Sequence, residues 1–161
     1  MNNINIPPRG FPVKEFEERL IQAQKIMQNH EFDGILITSP QNIRYFTGYD
    51  SQFWESPTRP WFVVVPAKGK PIGIVPEIGE SEFKKTWLDE IKSWPSPKPE
   101  DEGISLVKST LENLPKTYGQ IGAELGKEMA IRMPVRDLLK LKETVKTNIV
   151  DGSDAIWDMR M

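Results

Sequence analysis

The chain has no cysteine, which excludes disulfides and thiolate metal sites and leaves the redox compartment unread. It has a single histidine, His30. A Ser–His–Asp triad would have to use it, and no serine stands in the G-x-S-x-G setting of a nucleophile elbow. Its glycines never fall into G-x-G-x-x-G or P-loop spacing, so no phosphate-cradling turn is encoded. No charge of one sign dominates: 21 Lys and Arg face 23 Asp and Glu, for a net charge of −2. That balance offers no basic field for nucleic acid. Long hydrophobic runs are missing too, and WFVVV (residues 61–65) is far too short to span a bilayer. The opening MNNINIPPRGFP lacks the charged and apolar regions of a signal peptide. These absences set the expectation of a cytoplasmic protein with no nucleic-acid and no membrane partner.

What is present reads as one domain, since 161 residues can bury a core of useful size. Residues 1–12, with three prolines, are expected to form an arm. Phe16, Leu20, Ala23 and Met27 recur at helical spacing and predict an amphipathic helix over Val13 to His30. His30 at its end is expected to complement the helix dipole rather than to catalyse. Gly34 to Thr38 (GILIT) predicts a strand buried on both faces. Ser39 then supplies an N-cap, Pro40 a first-turn proline and Gly48 a left-handed stop, so Pro40 to Phe46 is expected to be a short helix. Trp61 to Pro66 and Pro71 to Pro76 predict a hairpin across Ala67-Lys68-Gly69-Lys70.

Further on, Ser81 to Leu88 predicts a helix with Phe83 and Trp87 on one side, and Ile91 to Trp94 a strand. SPKPEDEG (residues 96–103) predicts a solvated loop. Ile104, Val107, Leu111 and Leu114 predict another helix, and Gln120 to Glu124 another strand. Pro134 should open a helix carrying Val135, Leu138, Leu139 and Val145, followed by a strand at Asn148 to Val150. Ser153 reads as the N-cap of a last helix. The alternation with one hairpin predicts an α/β domain built on a mixed sheet flanked by helices.

The carboxylates Glu80, Glu82, Asp89, Glu90, Glu100, Asp101 and Glu102 read as solvated faces and loops, with no D-x-D-x-D-G pattern for a metal. One stretch differs in kind. Seven of the fifteen aromatic residues fall between Tyr45 and Phe62. Tyr45 and Phe46 suit the core side of the short helix, and Trp61 and Phe62 alternate at a strand start. Asn42 reads either as a local cap or as a functional group. Tyr49, Phe53, Trp54 and Arg59 remain, among Asp, Ser, Pro and Thr residues that belong on a surface. Clustered there they mark a contact site, the alternative being a small satellite core under the loop.

These features, taken in order, resemble one family. FDGILITSPQNIRYFTGYD, an Arg before WFVVVPAKGKPIGIVPE, then QIGAELG and DGSDAIWDMRM are similar to the N-terminal domain of the creatinase/prolidase/Xaa-Pro aminopeptidase ("pita-bread", peptidase M24) metallohydrolases. Asn42-Ile43-x-Tyr45-Phe46-Thr47-Gly48 resembles the family's N-I-x-Y-L-T-G, with Phe46 in place of the commoner Leu. The resemblance covers roughly residues 13–161 and implies an α/β domain of ribonuclease-H-like topology. Asn42, Tyr45, Thr47 and Gly48 would be its structural motif. It divides the chain into an arm (1–12), a domain (13–152) and the start of a linker helix (153–161) toward a catalytic domain.

In the family that second domain holds two divalent ions, Mn, Co or Zn, on two Asp, one His and two Glu. This chain has no matching set, so the resemblance implies no catalytic and no metal residues here. It implies a homodimer, a peptide or small carboxylate substrate, and a hydrolase that takes Xaa-Pro peptides. Creatine- or ectoine-type amides, or a stand-alone binding or dimerisation module, are the alternatives. By position Arg59 would anchor substrate charge, Phe53 or Trp54 would form a pocket wall or intersubunit contact, and Tyr49 and Asp50 would line the opening.

Overall fold

A computed structural model of the protein describes residues 10–56 and 59–161. The expected arm therefore lies outside the described residues except for its last three. Six strands form one mixed sheet in the order β4-β3-β2-β1-β5-β6. They are β1 (Gly34–Ile37), β2 (Phe62–Pro66), β3 (Ile72–Pro76), β4 (Glu90–Trp94), β5 (Gln120–Ala123) and β6 (Asn148–Asp151). β1 and β2 pair antiparallel, as do β2 and β3, whereas β1 with β5, β3 with β4 and β5 with β6 are parallel. The helices are α1 (Val13–Asn29), α2 (Pro40–Thr47), α3 (Glu77–Phe83), α4 (Ile104–Glu112), α5 (Val135–Thr144) and α6 (Ser153–Arg160), with one 3-10 turn at Gln52–Glu55.

The continuous apolar runs of β1 and β2 follow from burial on both faces. Successive side chains point to opposite sides, so Ile35, Ile37, Val63 and Val65 join one core with Leu20, Met27, Ile43, Phe46, Phe83 and Ile156. Leu36, Phe62, Val64 and Ile121 join the other with Val107, Leu111, Leu141 and Ile149. One helical layer is therefore α1, α2, α3 and α6, and the second is α4 and α5. Asp33, just before β1, is buried and accepts the backbone N–H groups of Thr117 (2.8 Å), Tyr118 (3.0 Å) and Gly119 (2.7 Å). It thereby ties the α4–β5 connection to the sheet.

Three expectations are corrected. The helix placed at Ser81 to Leu88 lies earlier, at Glu77–Phe83. Beyond Phe83 the chain turns, because the Thr86 hydroxyl donates to Phe83 O (2.7 Å) and the Trp87 indole donates to Phe46 O (2.8 Å). Ser153 is the first residue of α6, not its cap: its hydroxyl donates to Gly126 O (2.7 Å) and accepts Gly126 N–H (3.1 Å). The cap position belongs to Gly152, where a Cβ would lie 2.9 Å from backbone atoms of Gly122 and Ala123. Finally, α5 buries Leu141, whereas Val135 and Leu139 are exposed.

Candidate functional site

β1 and β5 run parallel with Leu36 opposite Ala123, so Thr38 and Glu124 emerge side by side at their carboxyl ends. From there the chain diverges. After β1 it enters the first layer as α2, and after β5 it passes toward α5 in the second. Divergence at neighbouring parallel strands opens a crevice, the usual ligand position in open α/β sheets. Here the chain fills it with Glu124, which is wholly buried. Oε2 accepts Thr38 N–H (2.6 Å), the Thr38 hydroxyl (2.8 Å) and Ser39 N–H (2.9 Å). Oε1 accepts the Ser39 hydroxyl and the Asn42 amide (2.6 Å). A carboxylate at the α2 N-terminus meets the positive end of the helix dipole.

The network continues outward. The Thr38 hydroxyl accepts Arg132 N–H (2.8 Å), and the Asn42 carbonyl accepts from the Arg160 guanidinium (3.3 Å). Asn42 thus holds α2 to β5 rather than capping its own turn. Tyr45 donates its hydroxyl to Met159 O (2.8 Å), Thr47 donates to Ile43 O (2.7 Å), and Gly48 takes φ 73° to end α2.

Beside this anchor lies a cleft of about 350 Å³. Its lining includes Phe53, Trp54 and Arg59 from the α2–β2 connection, Thr38 after β1 and Trp61 before β2, and Ile131, Arg132 and Met133 from the β5–α5 connection. Three of the predicted site residues, Arg59, Trp54 and Phe53, therefore come together. Tyr49 does not join them. It is 2% exposed, stacked on Trp61 at 5.3 Å and edge-on to Trp54 at 5.5 Å. The Thr47 hydroxyl accepts its N–H (3.0 Å), and the left-handed Gly48 turns the ring inward. Tyr49 belongs to the main core of the α1–α2 sheet face, with Ile43, Trp61 and Phe83. Asp50 is exposed and pairs with Arg44 (3.1 Å) while accepting the Trp54 indole N–H (3.1 Å). It steadies Trp54 from outside the cleft.

Glu124 and Arg132 have no local signal that singles them out. Glu124 directly follows β5 and Arg132 lies within the β5–α5 connection, and only the pairing of β1 with β5 brings them to Thr38 and Trp54. The Arg132 guanidinium donates to the Trp54 carbonyl, clasping the 3-10 turn against the β5–α5 connection.

Among the described residues, the cleft lining holds two guanidinium groups, Arg59 and Arg132. Glu102 senses the Arg59 charge and is otherwise engaged by the Trp94 indole (2.8 Å), the Ser96 hydroxyl (3.0 Å) and Lys98 N–H (2.7 Å). Burial raises the Glu102 pKa, but these hydrogen bonds and the Arg59 charge outweigh it and hold the carboxyl below the ordinary glutamate value. A lowered folded-state pKa stabilises the fold above the unfolded value, and that stability is lost as pH falls through the folded value. Urea midpoints measured from pH 7 down to 3 should therefore fall, and Glu102→Gln should flatten part of that acid limb. An unchanged limb in the variant would refute the assignment. Among the described residues no group of three or more His, Asp or Glu could hold a metal ion.

The family profile of the creatinase/prolidase N-terminal domain matches residues 19–161. A hydrolase/peptidase of uncharacterized function, y4tM from Sinorhizobium fredii, is 37% identical over 41 residues, covering 26% of this chain and 10% of that protein. Among solved structures, dipeptidase PepE from Mycobacterium ulcerans superposes with a TM-score of 0.68 at 22% identity, covering 94% of this chain and 38% of that one. The creatinase/prolidase N-terminal domain of an X-Pro dipeptidase from Streptococcus pyogenes gives 0.66 at 16% identity, covering 87% of this chain and 97% of that one. At these identities the structural likeness speaks for the fold. This chain spans well under half the length of y4tM and PepE.

Proposed function

This chain belongs to the creatinase/prolidase N-terminal domain family, and we propose that it is the non-catalytic part of a metal-dependent hydrolase acting on Xaa-Pro peptides. The observation that carries this reading is the cleft, where Arg59 stands beside Phe53 and Trp54 at the carboxyl edge of the sheet. A guanidinium fork pairs with a substrate carboxylate, and the aromatic rings cover an apolar ring or side chain. The catalytic domain, outside these residues, would hold two divalent ions, Mn, Co or Zn, to activate water. This chain's own part is to bind and orient. In a homodimer the cleft would form one wall of an active site, facing its own catalytic domain or that of the second subunit.

A second reading, hydrolysis of a small amide of the creatine or ectoine type, is favoured by the cleft's size. It is near the lower end of the roughly 300–1,000 Å³ of small-molecule sites. The test is to express the longer reading frame and assay Xaa-Pro dipeptides, creatine and ectoine with and without a chelator. Metal-dependent release of proline is the expected result. Turnover of creatine or ectoine alone selects the second reading, and a reading frame that stops after Met161 overturns both.

A further inference from the structure

We propose that the β5–α5 connection is a strained strap latched by α6, so that the seating of α6 sets the position of Arg132 on the cleft. Both ends of the strap lie within this chain, and the inference goes beyond the hydrolase reading without depending on it.

The first argument is backbone strain. Lys127 (φ 43°) and Glu128 (φ 62°) are consecutive non-glycine residues in the left-handed region, a conformation that persists only where surrounding contacts impose it. Those contacts come from α6. The buried Ser153 hydroxyl donates to Gly126 O (2.7 Å) and accepts Gly126 N–H (3.1 Å). The Trp157 indole donates to Lys127 O (3.1 Å), and the Lys127 ammonium pairs with Asp154. That ion pair is exposed on both sides and contributes little, so Ser153 and Trp157 are the latch.

The second argument is the path. Met129 packs against the core that holds Ile35 and Phe83, whereas Ile131 and Met133 pack against the one that holds Leu36 and Val107. The strap therefore crosses the carboxyl edge of the sheet, from the α6 layer to α5. At its far end Arg132 donates its N–H to the Thr38 hydroxyl (2.8 Å) and its guanidinium to the Trp54 carbonyl. Arg160 of α6 reaches the same anchor through Asn42 (3.3 Å) and Glu124. α6 thus grips both the strap and the network on which the strap ends.

The third argument is room to move. A crevice of about 610 Å³ opens between the strap, the α2 N-terminus and α6, with Asn42, Glu128, Met129, Trp157 and Arg160 in its lining. A strap released by α6 can relax into that space. Lys127 and Glu128 then return to an ordinary backbone conformation, and Arg132 lets go of Trp54. Whatever shifts α6 shifts the populations of the seated and released arrangements.

The 161-residue chain can be followed by amide hydrogen exchange and by the indole N–H resonances of Trp54 and Trp157. Trp157→Phe keeps a ring and removes the donor to Lys127 O. It should speed exchange at Met129 and Arg132 by roughly 3- to 10-fold, as for the loss of one hydrogen bond, while Ile35 and Val64 exchange as in the native chain. Glu128→Gly removes strain at an exposed position, since glycine takes positive φ at no steric cost, and should slow the same two amides. The Trp54 resonance should move in opposite directions along one line in the two variants, as for a two-state population shift. Coupling is reciprocal, so Arg132→Met, which removes the clasp on Trp54, should move the Trp157 resonance. Native exchange at Arg132 in Trp157→Phe, faster exchange in Glu128→Gly, or a Trp157 resonance unmoved by Arg132→Met would overturn the proposal. Changes confined to residues 126–129 would reduce Trp157 to a local prop and overturn it as well. Equal loss of protection at Ile35, Val64 and Arg132 would do the same, because the variant would then be unfolding as a whole.

Discussion

Glu124→Ala is expected to destabilise the domain by about 3–5 kcal/mol, the range for breaking a buried charged network. The truncation strips the acceptor from two backbone N–H groups, two hydroxyls and an amide in a site that is wholly buried. Each buried donor left without a partner costs about 1–3 kcal/mol, and partial collapse keeps the total below the sum. Glu124→Gln separates charge from shape. Its carbonyl can stand where Oε2 stands and keep the Thr38 and Ser39 donors. Its NH2 then faces the Asn42 amide, and relief requires that amide to flip and give up Arg160. The Gln variant should therefore lose about 1–3 kcal/mol, less than Ala. Urea unfolding of both variants reads the order directly. An Ala variant within about 1 kcal/mol of the native chain would show that water or a neighbour replaces the carboxylate.

Arg59→Ala should act on activity rather than on the fold. Among the described residues Arg59 makes no hydrogen bond or ion pair, and its charge reaches Glu102 only through space. In a protein that joins this domain to the proposed catalytic domain, loss of the fork is expected to lower kcat/KM by roughly 10- to 100-fold, or about 1.4–2.7 kcal/mol. Most of that change should appear in KM, because a group that holds the substrate's carboxylate away from the scissile bond binds ground state and transition state alike. Metal content and unfolding midpoint should stay as in the native protein. Native kinetics in the variant would remove Arg59 from the site, and a fall in kcat at constant KM would move it closer to the reacting atoms than proposed.

The legible parts of the fold were those fixed by neighbours in sequence. Phe16, Leu20, Ala23 and Met27 lie on one stripe of α1 and all are buried. Ser39, Pro40 and Gly48 bracket α2 by cap, first turn and left-handed stop. The errors arose where a distant partner overrode a local preference. Phe83 and Trp87 are four apart, as in a helix, yet the Trp87 indole is drawn to Phe46 O. Ser153 is a good cap in isolation, but its hydroxyl is taken by Gly126.

The candidate site divides in the same way. Arg59, Trp54 and Phe53 could be found because too many aromatics and an arginine shared one polar stretch. Tyr49 came with them by proximity in sequence, though its ring completes a cluster with Trp61 and Phe83. The far wall, with Arg132, and the anchor Glu124 were not visible, since a glutamate after a strand looks like any solvated end. Their roles depend on Ser39 and Glu124, 85 positions apart in sequence, being brought together by a parallel strand pair.

The hydrogen-bond chain from Glu124 through Thr38 to Arg132 also bears on how such a domain can diverge. One side of the cleft is a short 3-10 turn between α2 and β2, and lengthening or recomposing a surface loop of this kind costs little, since closure entropy grows only slowly with length. The other side is wired into the centre of the sheet, where an insertion would break several bonds at once. New specificities can therefore be explored by exchanging the residues around Phe53 and Trp54 while the opposite bank stays in register, one half of the recognition surface free to drift and the other held.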